Sequence, residues 1–162
     1  MEPITPKSLG ASQYILVIVY SYTNFSWVKI LKRKEDAKQK LAKVITQAET
    51  ALEKQVKQTI CDGGKEFVNR LMKDFCDIRG IRLTITTPYN PQNNGIAERI
   101  NRKLMDKARK LMIDSGVPKE LWVELINTAN FIRVRLSENG KSPFEKPFHR
   151  KPNLSQMKII GC

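Results

Sequence analysis

The stretch Tyr14-Ile15-Leu16-Val17-Ile18-Val19-Tyr20-Ser21-Tyr22-Thr23-Asn24-Phe25-Ser26-Trp27-Val28-Lys29-Ile30-Leu31 decides the architecture. Tyr14 to Val19 is short, continuous and rich in β-branched residues, the composition of a strand buried on both faces of a sheet. Ser21 to Asn24 turn the chain. From Phe25 the period becomes two, with Phe25, Trp27 and Leu31 on one side and Val28 and Ile30 on the other, so a second strand returns antiparallel to the first.

Outward from this hairpin the period changes. Ala37, Leu41, Val44, Ile45, Ala48 and Leu52 recur at three and four residues in a lysine-rich segment, which predicts an amphipathic helix of about five turns. Gln55 to Cys61 follows as a short strand, and Asp62, Gly63 and Gly64 form a sharp exit from it. Phe67, Leu71, Phe75 and Ile78 mark the apolar face of the next helix, which Gly80 stops. Ile81 to Thr86 is a strand, and Thr87 to Gly95 is a loop by its Pro, Asn and Gly content. A helix from Ile96 carries the stripe Ala97, Ile100, Leu104, Ala108 and Leu111, and Asp114 to Gly116 end it. Pro118 stands at the first position of a further helix running to Leu136. The tail holds a short helix near Pro143 and an apolar end at Ile159 and Ile160. Strands alternating with helices after a hairpin predict an α/β class with a mixed sheet flanked by helices. Residues 1–136 form the core and 137–162 a C-terminal extension of it.

The chain has 162 residues, with 29 Lys and Arg against 16 Asp and Glu, a net charge of +13. Such a surface attracts polyanions, and nucleic acid ahead of anionic membrane, because no basic helix stands alone with a large exposed apolar face. Its longest apolar run, Tyr14 to Tyr20, is far short of a membrane span. The N-terminus lacks the pattern of a secretory signal. Cys61, Cys76 and Cys162 have no ligand-like spacing and His149 is the single histidine, so buried, inert thiols are expected rather than a disulfide framework or a zinc site.

Two carboxylates stand apart from the bulk charge. Asp62 ends a strand and Glu98 opens a helix, with 35 residues between them (98 − 62 − 1). Hard carboxylate oxygens suit Mg²⁺, which completes its octahedron with waters and substrate phosphates, and metal-assisted phosphodiester chemistry uses such ligands. Spacing alone equally fits a Glu98 placed to favour the helix dipole and an Asp62 that accepts hydrogen bonds from turn amides.

The string Thr87-Pro88-Tyr89-Asn90-Pro91-Gln92-Asn93-Asn94-Gly95-Ile96-Ala97-Glu98-Arg99-Ile100-Asn101-Arg102 closely resembles the signature of copia-type long-terminal-repeat retrotransposon integrases. Cys61-Asp62-Gly63-Gly64-Lys65-Glu66-Phe67 looks like that family's second-aspartate block, and the 35-residue gap matches its spacing to the catalytic glutamate. Ser8-Leu9-Gly10, Trp27-Val28, Leu121-Trp122, Asn127-Thr128-Ala129, Pro143-Phe144-Glu145 and the end from Lys151-Pro152 to Gly161-Cys162 agree, so the resemblance covers essentially the whole chain. It implies a ribonuclease H-like core in which three acidic residues hold two divalent ions, Mg²⁺ or Mn²⁺, for DNA-end trimming and joining. Asp62 and Glu98 would be the second and third metal carboxylates. Asn101 and Arg102, one turn beyond Glu98, would lie on the DNA-facing side, or else are ordinary solvated helix residues.

The same resemblance puts the first catalytic aspartate on a central strand upstream of Met1, so that strand and the third carboxylate are expected to be missing. Glu2 is no substitute, because Pro3 and the offset forbid the same strand geometry. Tyr20-Ser21, Asn24, Gly63, Val134, Pro147 and His149 also depart from the family pattern. The expected function is therefore a retrotransposon integrase core fragment, DNA-integrating by ancestry and inactive alone. The alternative is a non-catalytic basic module binding DNA or RNA through phosphates. A third reading is a chain that cannot complete its sheet and aggregates through the strand at Tyr14 to Val19. Whether it is an enzyme in its own right stays open. Expected partners are DNA, both element ends and target, and further copies in a homo-oligomer, with no membrane. The nucleus is the expected location by resemblance alone.

Overall fold

The computed structural model describes residues 1–64, 67, 70–86, 95–137, 140–155 and 157. Residues 87–94 of the loop expected over Thr87 to Gly95, Lys65 and Glu66 of the aspartate block, and the apolar end at Ile159 and Ile160 lie outside these residues. Strands β1 (Tyr14–Tyr20) and β2 (Phe25–Leu31) form the expected antiparallel hairpin, in a register that runs from Tyr14 opposite Leu31 to Tyr20 opposite Phe25. Asn24, at the turn, takes the left-handed conformation (φ 60°) that asparagine tolerates better than most residues.

Both faces of the hairpin are covered, as its unbroken apolar composition requires. On one side Leu16 and Leu31 join Ala37, Leu41 and Ile45 of helix α1 (Asp36–Leu52) in a core that extends to Cys61, Met72, Cys76 and Ile81. On the other, Ile15, Val17, Val28 and Ile30 pack on Leu104 and Ala108 of helix α3 (Gly95–Ser115) and on Leu125 and Ala129 of helix α4 (Trp122–Arg135). Each large side chain fully withdrawn from water here contributes about 1.5–3 kcal/mol.

Strand β3 (Gln58–Asp62) pairs in parallel with β4 (Arg82–Thr86), and helix α2 (Arg70–Ile78) connects them. The β1–β2 and β3–β4 pairs are not hydrogen-bonded to each other. A cleft of about 590 Å³ separates them, floored by α1 and walled by β1 and β3. The mixed α/β class is as expected.

Four local expectations are corrected. The buried face of α2 is Met72 and Cys76, whereas Leu71 and Ile78 are 63% and 85% exposed. The stripe that begins at Phe67 thus shifts by one residue, because Cys76 and Met72 face β3 and the α1 core. Gly95 begins α3 rather than closing the loop. Pro118 precedes a 3₁₀ turn, Lys119–Leu121, and α4 starts only at Trp122 and stops before Leu136. The third strand begins at Gln58 and includes Asp62, not Gln55 to Cys61.

Candidate active site

Asp62 is the last residue of β3, in register with Thr86 of β4. The Thr86 hydroxyl donates to the Cys61 carbonyl at 3.2 Å, which ties the two strand ends together directly before the aspartate. Gly63 then leaves the sheet where space is short: a Cβ there would stand 3.3 Å from the Thr86 carbonyl oxygen. The Asp62 side chain is exposed at the strand's C-terminal end.

Glu98 sits in the first turn of α3, where the helix dipole favours a carboxylate. Asp62 and Glu98 line the same cleft, together with Ile96, Ala97 and Asn101 of α3 and Ile15 to Ser21 of the hairpin. Asn101 follows Glu98 by three positions and so shares its face. Arg102 is exposed on α3 but is not among the cleft-lining residues, so the structure separates the two side chains that the sequence paired. Beyond the cleft, Arg99, Arg102, Lys103 and Lys110 are exposed along α3 without an ion-pair partner among the described residues, while Arg109 bonds to Asp106 at 3.1 Å.

The carboxylates have the chemistry for one divalent ion completed by water and phosphate oxygens. Among the described residues no group of three or more His, Cys, Asp or Glu is placed to hold a metal. Cys61 is no ligand candidate: burial first, then the adjacent Asp62 charge and Cys76, push its thiol up to about 12. Cys61 and Cys76 are the buried thiols expected, and Cys162 lies outside the described residues.

Sequence reasoning missed one polar cluster. The Ser26 hydroxyl meets the Asn130 side-chain oxygen, the Asn130 amide donates to the Ser26 carbonyl at 3.1 Å, and Arg133 reaches both the Ser26 hydroxyl and, at 2.9 Å, the Asn24 carbonyl. Its signal was a serine and an asparagine on otherwise apolar faces of β2 and α4. Among the described residues no helix is long and apolar enough to cross a membrane.

No family model matches the chain. It is 30% identical over 164 residues to the retrovirus-related Pol polyprotein from transposon TNT 1-94 of Nicotiana tabacum, a match covering 99% of this chain and 12% of that protein. The corresponding polyproteins from transposons RE2 and RE1 of Arabidopsis thaliana are 27% and 26% identical, over 96% and 93% of this chain and 11% and 10% of their own lengths. The chain thus spans about a tenth of the curated relatives it matches. Among solved structures, the catalytic core domain of BIV integrase superposes with a TM-score of 0.64 at 21% identity, covering 88% of this chain and 90% of that one. The HTLV-2 integrase catalytic core domain in complex with magnesium gives 0.62 at 19% identity, covering 84% of both chains. A chain of the simian T-cell lymphotropic virus intasome in complex with PP2A regulatory subunit B56 gamma gives 0.65 at 20% identity, covering 94% of this chain and 53% of that one. The fold is that of the retroviral integrase catalytic cores, a ribonuclease H-like α/β fold, and the sequence relatives are copia-type retrotransposon Pol polyproteins.

Proposed function

We propose that this integrase-like core, homologous to a segment of retrotransposon Pol polyproteins, binds DNA through phosphate contacts and supplies two of the carboxylates of a metal-dependent polynucleotidyl transfer site. The observation that carries the reading is the convergence of Asp62, from the end of β3, and Glu98, from the first turn of α3, on one cleft. The magnesium in one structural neighbour's complex and the net charge of +13 support it.

In this reading Asp62 and Glu98 hold Mg²⁺ or Mn²⁺ through hard oxygen donors. When bound, such an ion supplies Lewis-acid polarisation of a phosphodiester oxygen and eases deprotonation of the attacking water or hydroxyl. Asn101 offers an amide to the DNA from the same helix face, and Arg102 offers a phosphate contact from outside the cleft. Two carboxylates suit one ion and not a pair. The two-ion arrangement that the resemblance implies needs a third carboxylate, and the cleft between the two strand pairs has room for it. With only Asp62 and Glu98 as cleft carboxylates, residues 1–162 are expected to bind DNA without transferase activity. The accompanying expectations are self-association and action on nuclear DNA.

The test compares this chain with a protein extended upstream to restore the strand and its aspartate. Divalent-metal-dependent nicking and joining of labelled element-end DNA is followed alongside binding. Activity in the extended protein alone, abolished by Glu98→Gln, is the expected result. Salt-dependent binding by both with activity in neither favours the non-catalytic basic module, for which the exposed Arg99, Arg102, Lys103 and Lys110 of α3 already speak.

A further inference from the structure

Residues 133–151 carry Arg133, Arg135, Lys141, Lys146, Arg150 and Lys151 against Glu138 and Glu145. Glu145 is already engaged. The Ser142 amide donates to its carboxylate at 2.8 Å, and the Glu145 amide donates to the Ser142 hydroxyl at 3.1 Å, a reciprocal cap. This cap starts the short helix α5 (Glu145–Phe148), which sets Phe144 and Phe148 against Phe25 of β2, with ring centroids 6.3 and 5.5 Å away. The Phe144 amide donates to the Val134 carbonyl at 2.8 Å and pins the segment to the end of α4.

Two guanidinium groups gather on that anchor. Arg135 lies 5.5 Å and Arg150 5.9 Å from the Phe144 ring centre, and Arg135 also lies 3.7 Å over Phe131. Two residues before Arg135 on α4, Arg133 is held by the Asn24 carbonyl and the Ser26 hydroxyl, with its Nε buried and without a hydrogen-bond partner among the described residues. Among the described residues none of these arginines has an ion-pair partner, and neither Arg135 nor Arg150 donates a hydrogen bond. A guanidinium stacked on a ring is held by its face, so its in-plane N–H fork stays available for bidentate contact with a phosphate. Favourable placement at the C-terminal end of α4 accounts for Arg133 and Arg135. It does not account for Arg150, Lys151, Lys141 and Lys146, which are exposed cations on the following segment.

We propose that Arg135, stacked on Phe131 and near the Phe144 ring, and Arg150, on the same Phe144 ring, together with Lys151 form a second DNA-contact surface that grips the phosphate backbone independently of the α3 face. The proposal rests on the DNA-binding reading above. It is tested by fluorescence anisotropy of a labelled duplex of arbitrary sequence across a salt series, using the full chain. The variants are R135Q/R150Q, R150Q/K151Q and, on α3, R102Q/K103Q. R150Q/K151Q removes two exposed side chains and serves where loss of Arg135 disturbs packing. Each pair is expected to weaken binding and to make the log–log salt slope shallower by about 0.9 per lost phosphate contact. Wild-type affinity and slope in a folded R150Q/K151Q protein, with R102Q/K103Q impaired, overturn the second surface and leave DNA binding intact. Absence of binding by the wild-type chain overturns the underlying reading and this proposal with it.

Discussion

The Thr86 hydroxyl reaches across the β3–β4 ladder to the Cys61 carbonyl at 3.2 Å, so the residue before Asp62 is fixed by a side chain as well as by backbone pairing. Thr86 is buried, and replacing it with valine keeps the volume while deleting the donor. A typical buried hydrogen bond contributes about 1 kcal/mol, and Thr86→Val is expected to destabilise by roughly that amount in urea unfolding. Gly63→Ala tests the same junction from the other side. Its Cβ at 3.3 Å from the Thr86 carbonyl oxygen requires the strand end to give by a few tenths of an ångström, with an expected loss of no more than about 1 kcal/mol.

The thiol of Cys61 supplies a pH dependence. Its ordinary value is 9.0 and the fold raises it to about 12, chiefly by burial and then by the Asp62 charge. The unfolded chain therefore loses this proton first. The stability associated with the neutral thiol is complete below pH 9 and declines as pH rises towards 12. Wild type is expected to lose stability more steeply than Cys61→Ala across that window, as measured by unfolding at fixed denaturant. Equal slopes for the two proteins would refute the assignment. Alkylation of Cys61 in the folded chain at pH 8 is expected to be slow for the same reason.

Helix α2 separates what pattern reading gives from what packing decides. Met72 and Cys76 are 2% and 0% exposed, whereas Leu71 and Ile78 stand out in solvent. Met72→Ala is expected to cost about 2–5 kcal/mol, as for other buried large-to-small changes. Leu71→Ser and Ile78→Ser are expected to stay within about 0.5 kcal/mol. Thermal unfolding of the three variants checks the ranking, and a large effect at Leu71 would restore the face chosen from the sequence.

That error has a physical source. The apolar face of this nine-residue helix is broad, running from Ile78 and Leu71 through Phe75 to Met72 and Cys76, and the element it packs against decides which edge of it is buried. The hairpin and α1 were legible because β1 is apolar on both faces and α1 carries a single apolar stripe among polar and charged residues. At the candidate site, Asp62 and Glu98 were legible through motif and spacing, whereas the separation of Asn101 from Arg102 was not. Neighbours on a helix differ by about 100° in direction, and only the position of the cleft decides which of them faces it. The Ser26–Asn130–Arg133 cluster was hidden for a related reason: Ser26 lies 104 and 107 positions from Asn130 and Arg133, so a polar residue on each apolar face signalled a partner without saying which.

If the cleft is where DNA and a divalent ion meet, its carboxylates must oppose DNA until the ion neutralises them. With metal chelated, Asp62 and Glu98 place negative charge beside the phosphates, so Asp62→Asn and Glu98→Gln are each expected to bind DNA at least as tightly as wild type. At separations of about 8 Å in water-like dielectric the gain is roughly twofold. Addition of Mg²⁺ reverses the order, because only the wild-type pair retains both hard donors and gains an ion that bridges to phosphate. Anisotropy titrations with EDTA and with Mg²⁺ read both effects. A chain whose affinity responds to Mg²⁺ identically in wild type and both variants owes its DNA binding to surface cations alone, and the carboxylates at the cleft then serve the strand end and the helix start that carry them.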